Sequence, residues 1–206
     1  MTHWSLECSS CHATVGGDAL AQLCPACAHP YVVQYAHLPH DPLALIDRWD
    51  MWRYAAWLPL LPDESPVTLG EGATPLMPAE SLARAVGVGT LWIKEEGLNP
   101  TGSFKARGMS AAVTRAKAHG VSGLVVPTAG NAGAALAAYG AAANLPVRVY
   151  APTETPAAIL TTIRAFGAEL ITVDGHIGDA GKAAREFAAQ HGWFDVSTLR
   201  EPYRIE

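Results

Sequence analysis

From Thr90 onward, strand-like and helix-like stretches alternate at short spacing, and this alternation constrains the chain more than any other feature. A strand is predicted over 91–94 and a helix from Ser103 to His119, ended by Gly120. A strand over 123–126 leads through Thr128-Ala129-Gly130 into a small-residue helix that runs to Ala143. After a strand over 147–150, Thr155 is placed to cap a helix with Pro156 at its first position. Ile159, Ile163 and Phe166 recur on one face of that helix. A strand over 169–173, a helix over 178–191 and a last strand over 193–196 complete the series. Such a series predicts an α/β fold, with a parallel sheet flanked by helices on both faces and right-handed crossovers.

The first 35 residues read differently. All four cysteines lie there, as Cys8-Ser9-Ser10-Cys11 and Cys24-Pro25-Ala26-Cys27, with 12 residues between the pairs. Each pair puts two thiolates on one tight turn, and two such knuckles supply the four sulfurs of a tetrahedral zinc site. The intervening segment holds Gly16-Gly17 and little apolar content, so a metal has to replace a missing core. Two disulfides are disfavoured, because no export signal precedes them. His12 and His29 flank the knuckles, but four cysteines already complete the set. Such a closed site is structural. Between the two parts, residues 30–66 are rich in Pro, Trp and His, with a short helix predicted over 42–49 and aromatic side chains expected to pack on a larger body.

Composition narrows the function. Half of the 206 residues are apolar and 16% are charged, enough to bury a core and unlike a disordered chain. The formal charge of −5, with 14 scattered Lys and Arg, argues against nucleic-acid binding. No stretch reads as a membrane span, and a soluble, cytoplasmic protein is expected.

The chemistry is expected at 94–108, where a strand runs into turn formers and a helix starts near Ser103, with Ser103 as its simplest cap. Lys105 then sits in the first helical turn, at the positive end of the dipole. That position and burial both lower its pKa, and the neutral amine is the form that attacks an aldehyde. The same passage fits a solvated surface lysine equally well. Glu95 and Glu96 read as solvated charges, Arg107 as the partner of a phosphate or a neighbouring carboxylate, and Tyr139 as core. In the second loop, Gly130 and Gly133 allow close approach of a ligand, and Asn131 reads as a helix cap.

The run Asn99-Pro100-Thr101-Gly102-Ser103-Phe104-Lys105 resembles the cofactor-lysine signature of the fold type II (tryptophan-synthase-β-like) pyridoxal phosphate enzymes. Glu96-Gly97-Leu98 ahead of it is similar to the threonine synthase branch of that family. Leu69-Gly70-Glu71-Gly72-Ala73-Thr74-Pro75-Leu76, Trp52-Arg53-Tyr54 and the stretch from Asp195 to Glu206 resemble further family blocks. A cysteine-rich N-terminal module also occurs in many members. Two positions depart from the pattern. Ala106 replaces a usually acidic residue, and Ala129 replaces a frequent serine.

The resemblance implies that Lys105 holds pyridoxal 5'-phosphate as a Schiff base. It implies that Asn131 bonds the cofactor ring oxygen and that Thr128, Ala129, Gly130 and Ala132 grip the substrate α-carboxylate. The implied reaction converts O-phosphohomoserine and water to threonine and phosphate. A threonine dehydratase, a cysteate synthase or a non-catalytic zinc-ribbon binding protein are the alternatives. The implied divisions are a zinc-ribbon-like module over 1–35, the first part of a large cofactor domain over 36–107, a small α/β domain over 108–198, and the start of a return to the large domain over 199–206. A Gly-rich cofactor-phosphate loop and a partner for the pyridine nitrogen are expected beyond Glu206. The chain is therefore expected to be an N-terminal portion with little activity alone, from a full-length homodimer acting on a small amino acid.

Overall fold

The computed structural model describes residues 3–38 and 45–205. The N-terminal module is a three-stranded antiparallel sheet of β1 (Trp4–Cys8), β2 (Thr14–Gly16) and β3 (Tyr31–Tyr35), in the order β2-β1-β3. Trp4, Leu6 and Cys8 alternate inward along β1 and meet Tyr31 and Val33 of β3. A small core therefore exists here beside the cysteines, which the low apolar content between the knuckles did not suggest. Residues 42–44 of the predicted short helix lie outside the described residues, and 45–49 are not helical. A 3-10 turn, Met51–Trp57, follows, capped by Asp50 through the Trp52 amide at 3.0 Å. The aromatics here divide: Trp52 is buried, whereas Trp49 is 79% exposed.

β4 (Leu76–Pro78), α1 (Glu80–Val86) and β5 (Trp92–Lys94) come next. The strand predicted over 91–94 is thus present, but it pairs antiparallel with β4 and stands outside the parallel sheet. Two further 3-10 turns, Glu96–Leu98 and Pro100–Gly102, lead into α2 (Lys105–Ala118). The α/β series then runs β6 (Leu124–Pro127), α3 (Asn131–Ala143), β7 (Val147–Pro152), α4 (Ala157–Ala165), β8 (Glu169–Val173), α5 (Ile177–His191) and β9 (Phe194–Asp195). A final 3-10 turn is Tyr203–Ile205.

The sheet is wholly parallel, in the order β8-β7-β6-β9. Neighbouring residues of β6 serve opposite faces, as the period of two requires. Leu124 and Val126 pack with α3 and with Ile163 of α4, while Val125 packs with Ala180, Ala184 and Phe187 of α5. Both faces are covered, which is why the strands read as continuous apolar runs. The Ala/Gly composition of α3 has its reason here. A Cβ at Gly140 would run into the Val147 side chain, so small residues let the helix lie close on the sheet.

Some local expectations fail. Pro156 occupies the N-cap position of α4, and the Thr155 hydroxyl is buried with no hydrogen bond among the described residues, so it does not cap the helix. Phe166 lies just past the end of α4 and is 40% exposed, while Ile163 is fully buried.

The 3-10 turn Tyr203–Ile205 packs on α2. Glu201 organises it: Oε2 accepts from the Tyr203 amide at 2.8 Å and the Arg204 amide at 3.2 Å, while Oε1 has no partner among the described residues. Burial pushes this carboxyl up to about 7. A group whose pKa is raised on folding favours the fold below its unfolded value, here 4.5, and loses that contribution as pH rises through 7. Glu201→Gln, which imitates the protonated acid, is therefore expected to match the wild type at pH 4 to 5. At pH 8.5 it should be more stable, by on the order of 3 kcal/mol at about 1.4 kcal/mol per pH unit. Urea unfolding at the two pH values measures this, and equal differences at both would contradict it.

Candidate active site

Lys105 is the first residue of α2, and two 3-10 turns deliver it there. The turns are held by Glu96. Arg107 grips its carboxylate with two nitrogens, Nε to Oε2 and Nη2 to Oε1, each at 2.7 Å. Thr74 donates to Oε1 at 2.8 Å and Asn99 to Oε2 at 2.8 Å. The Arg107 bonds are the chief cause that lowers the Glu96 pKa to about 2. Glu96 is thus a fixed anion that ties the loop to the helix, and not the solvated charge its place beside a strand suggested. Asn99 Oδ1 also accepts from the Gly72 amide at 3.0 Å, which joins the 69–76 segment to the lysine turn. Gly72 has a φ of +101°, and a Cβ there would stand 2.6 Å from the Met51 nitrogen. Neither observation admits another residue.

Behind this sits Glu71, which is fully buried. It accepts from Trp52 Nε1 at 3.1 Å, Tyr139 Oη at 2.5 Å, Thr68 Oγ1 at 3.2 Å and the Leu69 amide at 3.0 Å. Burial, and then the Glu71 bond, push the Tyr139 phenol far up, so it stays a donor. Tyr139 is core, as predicted. The Glu71 hub was not legible, because a Glu between two glycines carries no sign of burial.

Thr101 has a φ of +63°, an outlying backbone for a β-branched residue. Such strain persists only where surrounding contacts over-determine it. The expected Ser103 cap is absent. Ser103 is extended and two residues ahead of the helix, and its hydroxyl is buried without a partner among the described residues. Its unfilled hydrogen bond and the half-buried amine of Lys105 suit a polar ligand at this turn. The Lys105 pKa is lowered, in the expected direction, by burial first and then by the Arg204 charge. Ala106 is fully buried, an environment that an acidic residue would not fit without a partner.

The second loop closes on Thr128. Its Oγ1 accepts from the Gly130 amide at 3.0 Å and the Gly133 amide at 3.2 Å, and donates to the Gly130 carbonyl at 2.9 Å. The side chain shapes the turn and is buried within it. A Cβ at Gly133 would collide with Thr128 Cγ2, so the turn depends on glycine there. Gly130 is the N-cap of α3, so Asn131 does not cap the helix and presents its side chain to solvent. The amides of Asn131 and Ala132, in the first turn, have no acceptor within the helix. α3 packs against both α2 and the Pro100–Gly102 turn, so the two loops are carried by elements in contact.

The cysteines converge separately. Their four Sγ atoms all lie within 4.8 Å of one another, with Cys8 to Cys27 at 3.4 Å and Cys11 to Cys24 at 3.6 Å. Zinc–sulfur bonds of about 2.3 Å place tetrahedral sulfurs about 3.8 Å apart, so the set fits. The knuckles share one geometry. The residue after each second cysteine, His12 or Ala28, has positive φ and donates its amide to the carbonyl of the first, Cys8 or Cys24. His12 Nδ1 is engaged by Glu7 at 2.7 Å and His29 Nδ1 by the Cys27 carbonyl at 2.9 Å, and the converging set holds the four cysteines and neither ring. Burial raises the Cys24 thiol, but bonds from the Ala26 amide and from Cys11 outweigh it and lower it, while the same cluster of thiols pushes its partner Cys11 up, so a bound cation is what would hold all four as thiolates. The thiolate is the form that binds metal.

Comparison with known proteins agrees with this geometry. Residues 67–206 match the family described as pyridoxal-phosphate dependent enzyme. The threonine synthase of Methanosarcina acetivorans is 34% identical over 98% of this chain and 50% of its own length. That of Mycobacterium tuberculosis is 42% identical over 74% of this chain and 42% of its own. The chain thus spans half or less of the length of these curated relatives. Among solved structures, maize serine racemase matches with a TM-score of 0.59 at 25% identity, covering 64% of this chain and 40% of the other. A pyridoxal 5'-phosphate-dependent aspartate racemase matches with a TM-score of 0.57 at 28% identity, covering 60% and 39%. Among the described residues no helix is long and apolar enough to cross a membrane.

Proposed function

Because the chain belongs to the pyridoxal-phosphate dependent enzyme family, we propose that it is the lysine-bearing portion of a threonine synthase acting on O-phosphohomoserine. The observation that supports this most is the Glu96–Arg107–Asn99 clamp, which fixes a half-buried Lys105 of lowered pKa at a helix start. Lys105 would hold the cofactor covalently through Nζ, and Asn131 would face its ring oxygen. When bound, pyridoxal phosphate supplies an electron sink for charge developed at the substrate α-carbon. Lys105 Nζ, as a neutral amine, takes and returns protons on the substrate. The free amides of Asn131 and Ala132, with the Ala129 and Gly130 backbone on the turn that Thr128 builds, form an anion site for the α-carboxylate. The four cysteines hold a structural zinc in a module over 1–35. The cofactor-domain segment over 36–107, the small domain over 108–198 and the return segment over 199–206 complete the proposed division.

The reading is tested by mixing the chain with pyridoxal phosphate, reducing with borohydride and locating the adduct by peptide mass spectrometry. The adduct is expected at Lys105 ahead of Lys94, Lys117 and Lys182, and Lys105→Ala is expected to remove it. Labelling spread over the other three lysines with none at Lys105 would refute the assignment. Phosphate release from O-phosphohomoserine, and not from O-phosphoserine, by the chain joined to the remaining length of its relatives tests the substrate.

A further inference from the structure

We propose that Glu71 is a positioning residue, whose buried carboxylate ties α3 to the lysine turn and so keeps the two ligand-facing loops at one spacing. This rests on Lys105 being the cofactor lysine. Glu71, Tyr139 and Trp52 are all buried. Tyr139 stands on α3, about two turns beyond the loop that ends at Ala132. Its hydroxyl donates to Glu71 Oε2 at 2.5 Å, across 68 residues of chain. Trp52 Nε1 donates to Glu71 Oε1 at 3.1 Å and also to Ser110 Oγ of α2 at 2.8 Å. One carboxylate therefore joins the Met51–Trp57 turn to α3, with α2 alongside.

The backbone carries this fixation onward. Residue 71 is held by its main chain as well, since its carbonyl accepts from the Met51 amide at 2.6 Å. The next residue, Gly72, donates its amide to Asn99 Oδ1 at 3.0 Å. Asn99 Nδ2 in turn donates to Glu96 Oε2 at 2.8 Å, and that oxygen accepts from Arg107 Nε on α2 at 2.7 Å. Asn99 also opens the Pro100–Gly102 turn, against which α3 packs directly. A run of hydrogen bonds thus leads from Tyr139 to the turn that delivers Lys105. The Glu96–Arg107 pair alone would hold that turn to α2, and Glu71 adds α3. The turn needs such support, because Thr101 sits at a φ of +63° with its hydroxyl buried and unpartnered among the described residues. Hydrogen bonds to a buried carboxylate are among the strong ones, and removing a donor leaves the acceptor short of a partner.

The test is amide exchange and cofactor capture in the wild-type chain, Tyr139→Phe, Glu71→Met and Glu71→Gln, with Tyr203→Phe as control. Tyr139→Phe keeps the ring and removes only the bond to Glu71. Its amides over 69–76 and 96–104 are expected to exchange on the order of tenfold faster than in the wild type, the worth of one such bond. Pyridoxal phosphate capture at Lys105, trapped by borohydride at short times, should slow several-fold, with Lys117 and Lys182 unchanged. Glu71→Met, of similar length but without an acceptor, should do the same. Glu71→Gln keeps one oxygen for Tyr139 and the Leu69 amide, while Trp52 Nε1 retains Ser110, so it should stay near the wild type. Tyr203→Phe removes an equally buried hydroxyl from the Ala19 carbonyl and should leave 96–104 at the wild-type rate. Circular dichroism checks folding, and Tyr139→Phe carries the test if Glu71→Met unfolds. Exchange over 96–104 unmoved in Tyr139→Phe, or moved equally by Tyr203→Phe, overturns the proposal. Faster exchange in Tyr139→Phe with no capture at Lys105 in any chain supports the link and refutes the cofactor assignment alone. Capture at Lys105 with exchange and capture rate unmoved refutes the role of Glu71 alone.

Discussion

Arg115→Ala is expected to destabilise the chain by about 3–5 kcal/mol, the cost of removing one partner from a buried ion pair. Arg115 lies in the last turn of α2 and is fully buried. Its Nη1 pairs with Glu64, and its Nη2 donates to the Gly17 carbonyl at 2.9 Å and contacts His119 Nε2 at 2.9 Å. The guanidinium also lies over the Trp4 ring at 5.1 Å and the Tyr203 ring at 5.5 Å. One side chain thus joins the cysteine module, the segment before β4, α2 and the C-terminal turn. Burial and the Arg115 charge lower the His119 pKa, which keeps that ring neutral as an acceptor. Alanine would strand the Glu64 carboxylate and empty the space between two aromatic rings. The measurement is the urea midpoint of wild type, Arg115→Ala and the double variant Arg115→Met with Glu64→Leu. The double variant should recover much of the loss, because it removes both charges together. A single variant within about 1 kcal/mol of wild type would mean that the seam is not held through Arg115.

Cys24→Ser is expected to abolish stoichiometric zinc binding and to release the order of the three-stranded module. Structural zinc contributes on the order of 10 kcal/mol to modules of this kind, far more than the few buried side chains of β1 and β3 can supply. The loss should spread beyond the ribbon. The Tyr203 hydroxyl donates to the Ala19 carbonyl at 2.8 Å, and Gln22 Nε2 caps the Asp195 carbonyl on edge strand β9 at 3.1 Å. Amide exchange should therefore accelerate first over 4–35 and then at β9 and the Tyr203–Ile205 turn, with β7 least affected. Metal content measured on the purified chain, before and after chelation, accompanies the exchange experiment. A chain that holds no zinc, or keeps its ribbon protection after chelation, would refute the role given to the four sulfurs.

Periodicity and spacing determined much of this protein without coordinates. The parallel α/β body, its covered faces, the lysine at a helix start and the pairing of four cysteines all follow from local patterns, because strand and helix periods and ligand spacing are written along the chain. The caps were misread for a related reason. Ser103, Thr155 and Asn131 are good cap residues by type, but each stands at a position where the backbone enters the helix one or two residues later or earlier. Glu96, Glu71 and Arg115 were legible only as polar residues. Their roles depend on groups that folding brings to them: Arg107 and Asn99 for Glu96, Tyr139 for Glu71, and Gly17 for Arg115. The lowered pKa of Lys105 was readable in direction from its place at a helix start, but its chief cause, burial, belongs to the folded chain. Charge acts through space, and only the folded chain brings Glu96 to Arg107 and Glu64 to Arg115.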